Sequence, residues 1–120
     1  MAHATDMIIN QLKDQNAYSV QFASPQITDS YAISKIHEQL MELATKSTGP
    51  RILLDFSNVK NLSSEALGKL LTLHKTAGES GGSVSLAGLD DPNIRSVFRI
   101  TQLDKIFKVY PTIQDAENAL

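Results

Sequence analysis

The chain has 120 residues, no cysteine, and 11 Lys plus Arg against 13 Asp plus Glu, for a formal charge of −2. That length suits one ordinary domain able to bury roughly two-thirds of its unfolded surface, and the lack of cysteine excludes a disulfide framework, thiolate nucleophiles and cysteine-ligated zinc. The two signs of charge are scattered, so no basic stripe is offered to a phosphate backbone and nucleic acid is not an expected partner.

The longest apolar runs, such as Ile52–Leu54, fall far short of a membrane span. The opening Met1-Ala2-His3-Ala4-Thr5-Asp6 has no basic n-region and no long apolar h-region, so no export signal is expected. No segment repeats at a fixed period and none is low in complexity. The expectation is one soluble, cytoplasmic domain over residues 1–120.

In chain order, Met7, Ile8, Ile9 and Leu12 predict a first strand, and Tyr18, Val20 and Phe22 alternate with Ser19 and Gln21 as in a half-buried second one. Asp14-Gln15-Asn16 between them suits a hairpin turn. Beyond Pro25, Ile33, Ile36, Leu40 and Leu43 recur at steps of three and four. They predict one stripe of a helix, capped by Asp29 or Ser30 and stopped at Gly49-Pro50. Arg51 to Phe56 is apolar almost throughout, as in a strand covered on both faces.

Leu67, Leu70, Leu71 and His74 predict the inner face of a second helix, entered through Ser63-Ser64 and left through Gly78 and Gly81-Gly82. Val84 and Leu86 mark another strand. Asp91-Pro92 reads as an N-cap and first helical position, with Ile94, Val97 and Phe98 as the buried stripe. Phe107, Val109 and Tyr110 predict a final strand. Thr112, with Asp115 three residues on, caps a closing helix buried through Ile113, Ala116 and Leu120. Strands alternating with helices require right-handed crossovers. The expected fold class is therefore α/β, a mixed, mostly parallel sheet of about five strands flanked by about four helices, with one antiparallel pair from the opening hairpin.

The chemistry of a metal or nucleophile site is missing from this pattern. His3, His37 and His74 lie far apart, with no His-Glu-x-x-His and no paired carboxylates at ligand spacing, so each reads as a histidine at a helix surface or terminus. Gly78-Glu79-Ser80-Gly81-Gly82 runs from a helix into a strand, the reverse of a phosphate cradle, and suits a helix C-cap and turn. Asn61-Leu62-Ser63 matches a glycosylation sequon, which carries no weight without an export signal. No cofactor, metal or enzyme activity is expected.

The informative stretch is Asp55-Phe56-Ser57-Asn58-Val59-Lys60-Asn61-Leu62-Ser63-Ser64-Glu65-Ala66-Leu67-Gly68-Lys69-Leu70-Leu71: a buried strand, a short loop, and two serines at the mouth of a helix. It resembles the signature of the STAS-domain anti-sigma factor antagonists, in which such a strand leads to Asp-Ser-Ser/Thr-Gly-Leu-Gly and an apolar helix. A second block, Leu86-Ala87-Gly88-Leu89 through Pro92 and then Val97 to Phe107, resembles the family's later strand, third helix and the segment before its last strand. The resemblance covers about residues 17 to 120, in the same order of elements that periodicity gives.

The resemblance implies a small switch that binds an anti-sigma factor of the serine-kinase type, frees a sigma factor, and is turned off by serine phosphorylation. A serine phosphatase would reverse the modification. The family's acceptor falls on Ser64, with Ser63 in place of the motif Asp and as the alternative acceptor. Glu65 and Ala66 replace the family's Ser/Thr and Gly, whereas Leu67 and Gly68 agree; Gln26-Ile27-Thr28-Asp29 loosely matches a Glu-Leu/Ile-Asp motif. The implied partner surface is Thr28, Asp29, Asn61, Ser63, Ser64, Glu65, Leu67 and Lys69. A helix N-cap at Ser63 or Ser64, worth about 1 kcal/mol, is the plain structural role for the pair. The alternative function is a non-phosphorylated STAS subunit of a lipid-transport or stress-sensing assembly.

Overall fold

Ile52 and Leu54 are completely buried because their strand lies at the centre of a sheet, with neighbours on both edges. The computed structural model describes residues 7–12 and 16–120. The strands are β1 (Met7–Gln11), β2 (Ala17–Phe22), β3 (Gln26–Ile27), β4 (Arg51–Asp55), β5 (Asn61–Leu62), β6 (Ser83–Ala87) and β7 (Lys108–Tyr110). The helices are α1 (Ser30–Lys46), α2 (Ser64–Glu79), α3 (Pro92–Ile100) and α4 (Ile113–Asn118), with a 3-10 turn at Leu103–Lys105.

Five strands form the main sheet in the order β1-β2-β4-β6-β7; β1 pairs with β2 antiparallel and every other pair is parallel. This is the α/β class expected from the alternation of periodicities. The hairpin is present, but Asp14 and Gln15 of its expected turn lie outside the described residues, as do His3 and the opening Met1 to Asp6.

The structure departs from the sequence reading at six points. β1 is an edge strand, so Ile8 and Ile9 stay exposed and Met7 supplies its buried anchor. In α2 the buried stripe is Ala66, Leu70, Leu73 and Ala77, and not the arc of Leu67, Leu71 and His74. Both sets keep helical spacing, and the sheet takes the one containing the two alanines, whose small side chains permit close packing. Val97 is only half-buried beside Ile94 and Phe98. Phe107 is buried but precedes β7, and Leu120 is exposed because α4 ends at Asn118. A second sheet of two residues per strand, β3 with β5, has no period long enough to read in sequence.

Most of the core lies between the sheet and the helices α1, α2 and α3. Phe56 sits at its centre, tilted against Phe22 at 5.0 Å and edge-on to Phe98 at 5.6 Å between ring centroids. On the opposite face Leu53, Ala87 and Ala116 form a smaller cluster with Leu12, Tyr110 and Ile113.

The exit of β4 is fixed by a buried carboxylate. Asp55 Oδ1 accepts the Ser57 N–H at 3.0 Å, and the Phe56 N–H donates to the Ala87 carbonyl at 2.9 Å. Gly88 passes alongside with φ +69°, and a Cβ there would stand 2.9 Å from Asp55 Oδ1. Both the left-handed backbone and the close approach require glycine. The turn then closes through the Val59 N–H on the Phe56 carbonyl at 2.9 Å and delivers the chain to β5.

Replacing Phe56 removes a ring that is 1% exposed and touches two other rings. Phe56→Ala should lower unfolding free energy by about 3–5 kcal/mol in urea titration, with no such loss for Ile100→Ala on the surface.

Candidate functional site

Two helix N-termini meet beside the small sheet. β3 and β5 run parallel with Gln26 opposite Asn61 and Ile27 opposite Leu62. The Lys60 and Asn61 N–H groups both donate to the Pro25 carbonyl, at 2.7 and 3.1 Å, and the Ser63 N–H donates to the Ile27 carbonyl at 3.2 Å. Each strand then passes into a helix within three residues: β3 through Thr28 and Asp29 into α1, β5 through Ser63 into α2. Parallel pairing in that register brings the two helix starts level.

The caps are settled by geometry. Asp29 Oδ2 accepts the Ala32 N–H at 2.8 Å, so Asp29, and not Ser30, caps α1. Ser63 Oγ accepts the Ala66 N–H at 3.2 Å and caps α2. Ser64 follows as the first helical residue, exposed, and among the described residues no side-chain hydrogen bond engages its hydroxyl. The two serines therefore differ in kind: one is committed to the backbone and the other faces solvent.

Glu65 closes the gap between the helices. Its Oε1 accepts the Ser30 hydroxyl at 2.7 Å, a contact between residues 35 apart in sequence. Its charge also lies in the first turn of α2, where the helix dipole favours an anion. From the third side Asn93 of α3 donates its side-chain amide to the Lys60 carbonyl at 3.1 Å and to Asn61 Oδ1 at 3.5 Å.

Of the residues expected to bind a partner, Thr28, Asp29, Asn61, Ser63, Ser64 and Glu65 come together at this mouth. Leu67 and Lys69 do not share a face. Two residues apart on a helix, they point about 200° from one another. Leu67 packs against the core, and Lys69 turns toward α1, where its charge acts on His37. Ser30 and Asn93 were missed as site residues, since their partners lie 35 and 33 positions away. Among the described residues no cluster of three or more His, Cys, Asp or Glu is placed to hold a metal, and no helix is long and apolar enough to cross a membrane.

The STAS domain model matches residues 13–116. The chain belongs to the STAS domain family. A Thermotoga neapolitana protein, named provisionally as an anti-sigma factor antagonist, is 35% identical over 66 residues, covering 55% of this chain and 58% of that relative. The chain thus spans less than two-thirds of the length of the curated relatives it matches. The solved STAS-domain anti-sigma factor antagonist protein of Planctomyces limnophilus superposes with a TM-score of 0.81 at 18% identity, covering 96% of this chain and 97% of that one. Bacillus SpoIIAA in its phosphorylated form gives 0.72 at 13% identity, covering 95% and 99%. These superpositions show the same fold.

Ser63→Ala removes a cap and should cost about 1 kcal/mol in chemical denaturation, whereas Ser64→Ala should be close to neutral. His37 titrates below its ordinary 6.5, first because it is partly buried and second because Lys69 is near. A histidine with a depressed folded pKa binds fewer protons folded than unfolded. Its contribution to stability is full above about pH 6.5 and is lost as pH falls through the lower folded value. Thermal unfolding of His37→Gln between pH 5 and 8 should show a flatter pH dependence than the unsubstituted chain.

Proposed function

We propose that this STAS domain is a cytoplasmic anti-sigma factor antagonist that docks its α1–α2 mouth on an anti-sigma factor of the serine-kinase type and releases a sigma factor. Phosphorylation of Ser64 turns it off, and a serine phosphatase restores it. The carrying observation is the division of labour between adjacent serines: Ser63 is spent as the cap while the Ser64 hydroxyl stands exposed at the first helical position. The naming of relatives as antagonists, and the existence of SpoIIAA in phosphorylated and unphosphorylated forms, support the same reading.

The physics of the switch is local. A phosphate at Ser64 adds about −1.5 to −2 charges and three acceptor oxygens at a helix start, where free N–H groups and the dipole tolerate it. The neighbouring Glu65 carboxylate, held by Ser30, makes the same spot negative already. The added charge changes the docking surface of Thr28, Asp29, Asn61, Ser63 and Glu65 without requiring the domain to refold. Leu67 and Lys69 flank the buried stripe of α2 on opposite sides, so they meet a partner only along separate borders of the contact. We read the chain as a binding protein and not an enzyme, acting without metal or cofactor.

A second reading has one observation in its favour. Ser30 already binds Glu65 across the helix starts, so the mouth is tied together without any phosphate. A non-phosphorylated subunit of a lipid-transport or stress-sensing assembly would need no more than that.

The test incubates the chain with its cognate kinase and ATP, maps the label by mass spectrometry, and measures anti-sigma factor binding by Ser64→Ala and Ser64→Glu. Under the proposal the label falls on Ser64, alanine binds constitutively, glutamate binds weakly, and both keep a native circular dichroism spectrum. Label on Ser63 shifts the acceptor by one residue. No label, with normal binding by Ser64→Glu, overturns the switch and favours the second reading.

A further inference from the structure

On the α4 face of the main sheet, the first residues of the three parallel strands β4, β6 and β7 border a pocket of about 310 Å³. Arg51 of β4 lies opposite Ser83 of β6, and Ser85 lies opposite Lys108 of β7. Side chains two apart on a strand share a face, and Leu53, packed with Ala116 of α4, shows which face this is. All four polar side chains therefore stand on the α4 side, and all four line the pocket. The Ser64 mouth follows the other end of β4, so the two sites are separate.

Arg51, Lys108 and His74 line this pocket, and among the described residues no Asp or Glu side chain does. Lys108 makes no ion pair among those residues. Ser85 is only 9% exposed, yet among the described residues no hydrogen bond engages its hydroxyl, which is left to the pocket. A hydroxyl placed that deeply is costly unless something bonds it. His74 reaches the wall from α2, its ring edge-on to Phe107 at 5.1 Å. Its Nδ1 is buried with no partner among the described residues, so the neutral ring keeps its proton on Nε2 and has a donor to offer. The polar lining is thus one of cations and hydroxyls, set in a chain whose net charge is −2.

We infer that this pocket binds a small organic diacid, with one carboxylate on Arg51 and Ser83, the other on Lys108 and Ser85, and a short carbon frame against Ala116 and Ala119 of α4. Strand β6 sets the spacing. Its alternate residues Ser83 and Ser85 are about 6.6 Å apart, a span that the two ends of a five-carbon diacid bridge. Arg51 takes its carboxylate through a planar fork and Lys108 acts as a point charge. Two cation–hydroxyl pairs, with β6 between the cations, match two separated charges better than one. The volume of about 310 Å³ stands at the lower end of ligand sites, which suits a diacid and not a nucleotide or a lipid chain.

The probe is glutarate, titrated at constant ionic strength into the full 15N-labelled chain and followed by NMR. Expected are saturable shifts centred on Arg51, Ser85, Lys108 and Ala119, with a dissociation constant below about 1 mM. Butyrate, which lacks the second carboxylate, should bind about tenfold more weakly or worse. Lys108→Gln, at an exposed side chain, should weaken glutarate binding by a similar factor, since it removes one charged hydrogen-bonding partner. Ser85→Ala should weaken binding without lowering the thermal midpoint, because no protein group bonds the hydroxyl it removes. Shifts that do not saturate, shifts confined to other surfaces, or a wild-type dissociation constant with Arg51→Gln plus Lys108→Gln would overturn the inference. Should that pair lose its thermal transition, a wild-type constant with Lys108→Gln alone overturns it. Equal binding of butyrate or of inorganic phosphate would also overturn it, by reducing the pocket to a general anion site.

Discussion

The candidate site depends on two backbone pairings, Gln26 with Asn61 and Ile27 with Leu62. They are too few to stand alone as a sheet, and they are stable because Ile27 is buried and Leu62 packs on the core beside it. Their effect is one of register. Shifting either strand by one residue would turn Ile27 or Leu62 out of the core and move one helix start past the other. Everything chemically interesting at the mouth follows from that alignment: two capped helices open side by side, and Ser30 lies within 2.7 Å of Glu65.

The alignment also explains why adjacent serines acquire different properties. The chain enters α2 with Ser63 in extended backbone, φ −83° and ψ 163°, the conformation that lets a side chain reach back to a helical N–H. One residue later the backbone is helical and the side chain of Ser64 is carried outward. Glu65, one further step around the helix, turns toward α1. Three consecutive residues thus serve three directions, set by the helical rotation of about 100° per residue.

Much of this was legible from the sequence. The three-and-four spacing of α1 and the unbroken apolar run of β4 placed the central layers, Asp91-Pro92 and Thr112 marked their helices, and the two serines marked the entrance of α2. What escaped reading was non-local. The β3–β5 pair has no periodicity to detect, the choice between two helical stripes in α2 is made by the sheet it packs on, and the bond from Asn93 to Lys60 joins segments that sequence gives no reason to connect. Leu67 and Lys69 looked like neighbours because they are close in sequence, although helical geometry separates them.

The strand order of the main sheet carries a further consequence. From β2 through β4 and β6 to β7, spatial order follows chain order, so each crossover lays its new strand at the current border of the sheet. The layers therefore thin outward: β4 is enclosed, whereas β7 offers three residues and α4, itself six residues long, rests partly on it. Amide exchange should accordingly be slowest at Ile52 and Leu54 and quicker at the border strand of residues 108–110, while α4 stays anchored through Ala116 on Leu53 and Ala87 of the central strands. The border strand β7 belongs to a different sheet from the β3–β5 pair that aligns the helix starts and holds Ser64 in place.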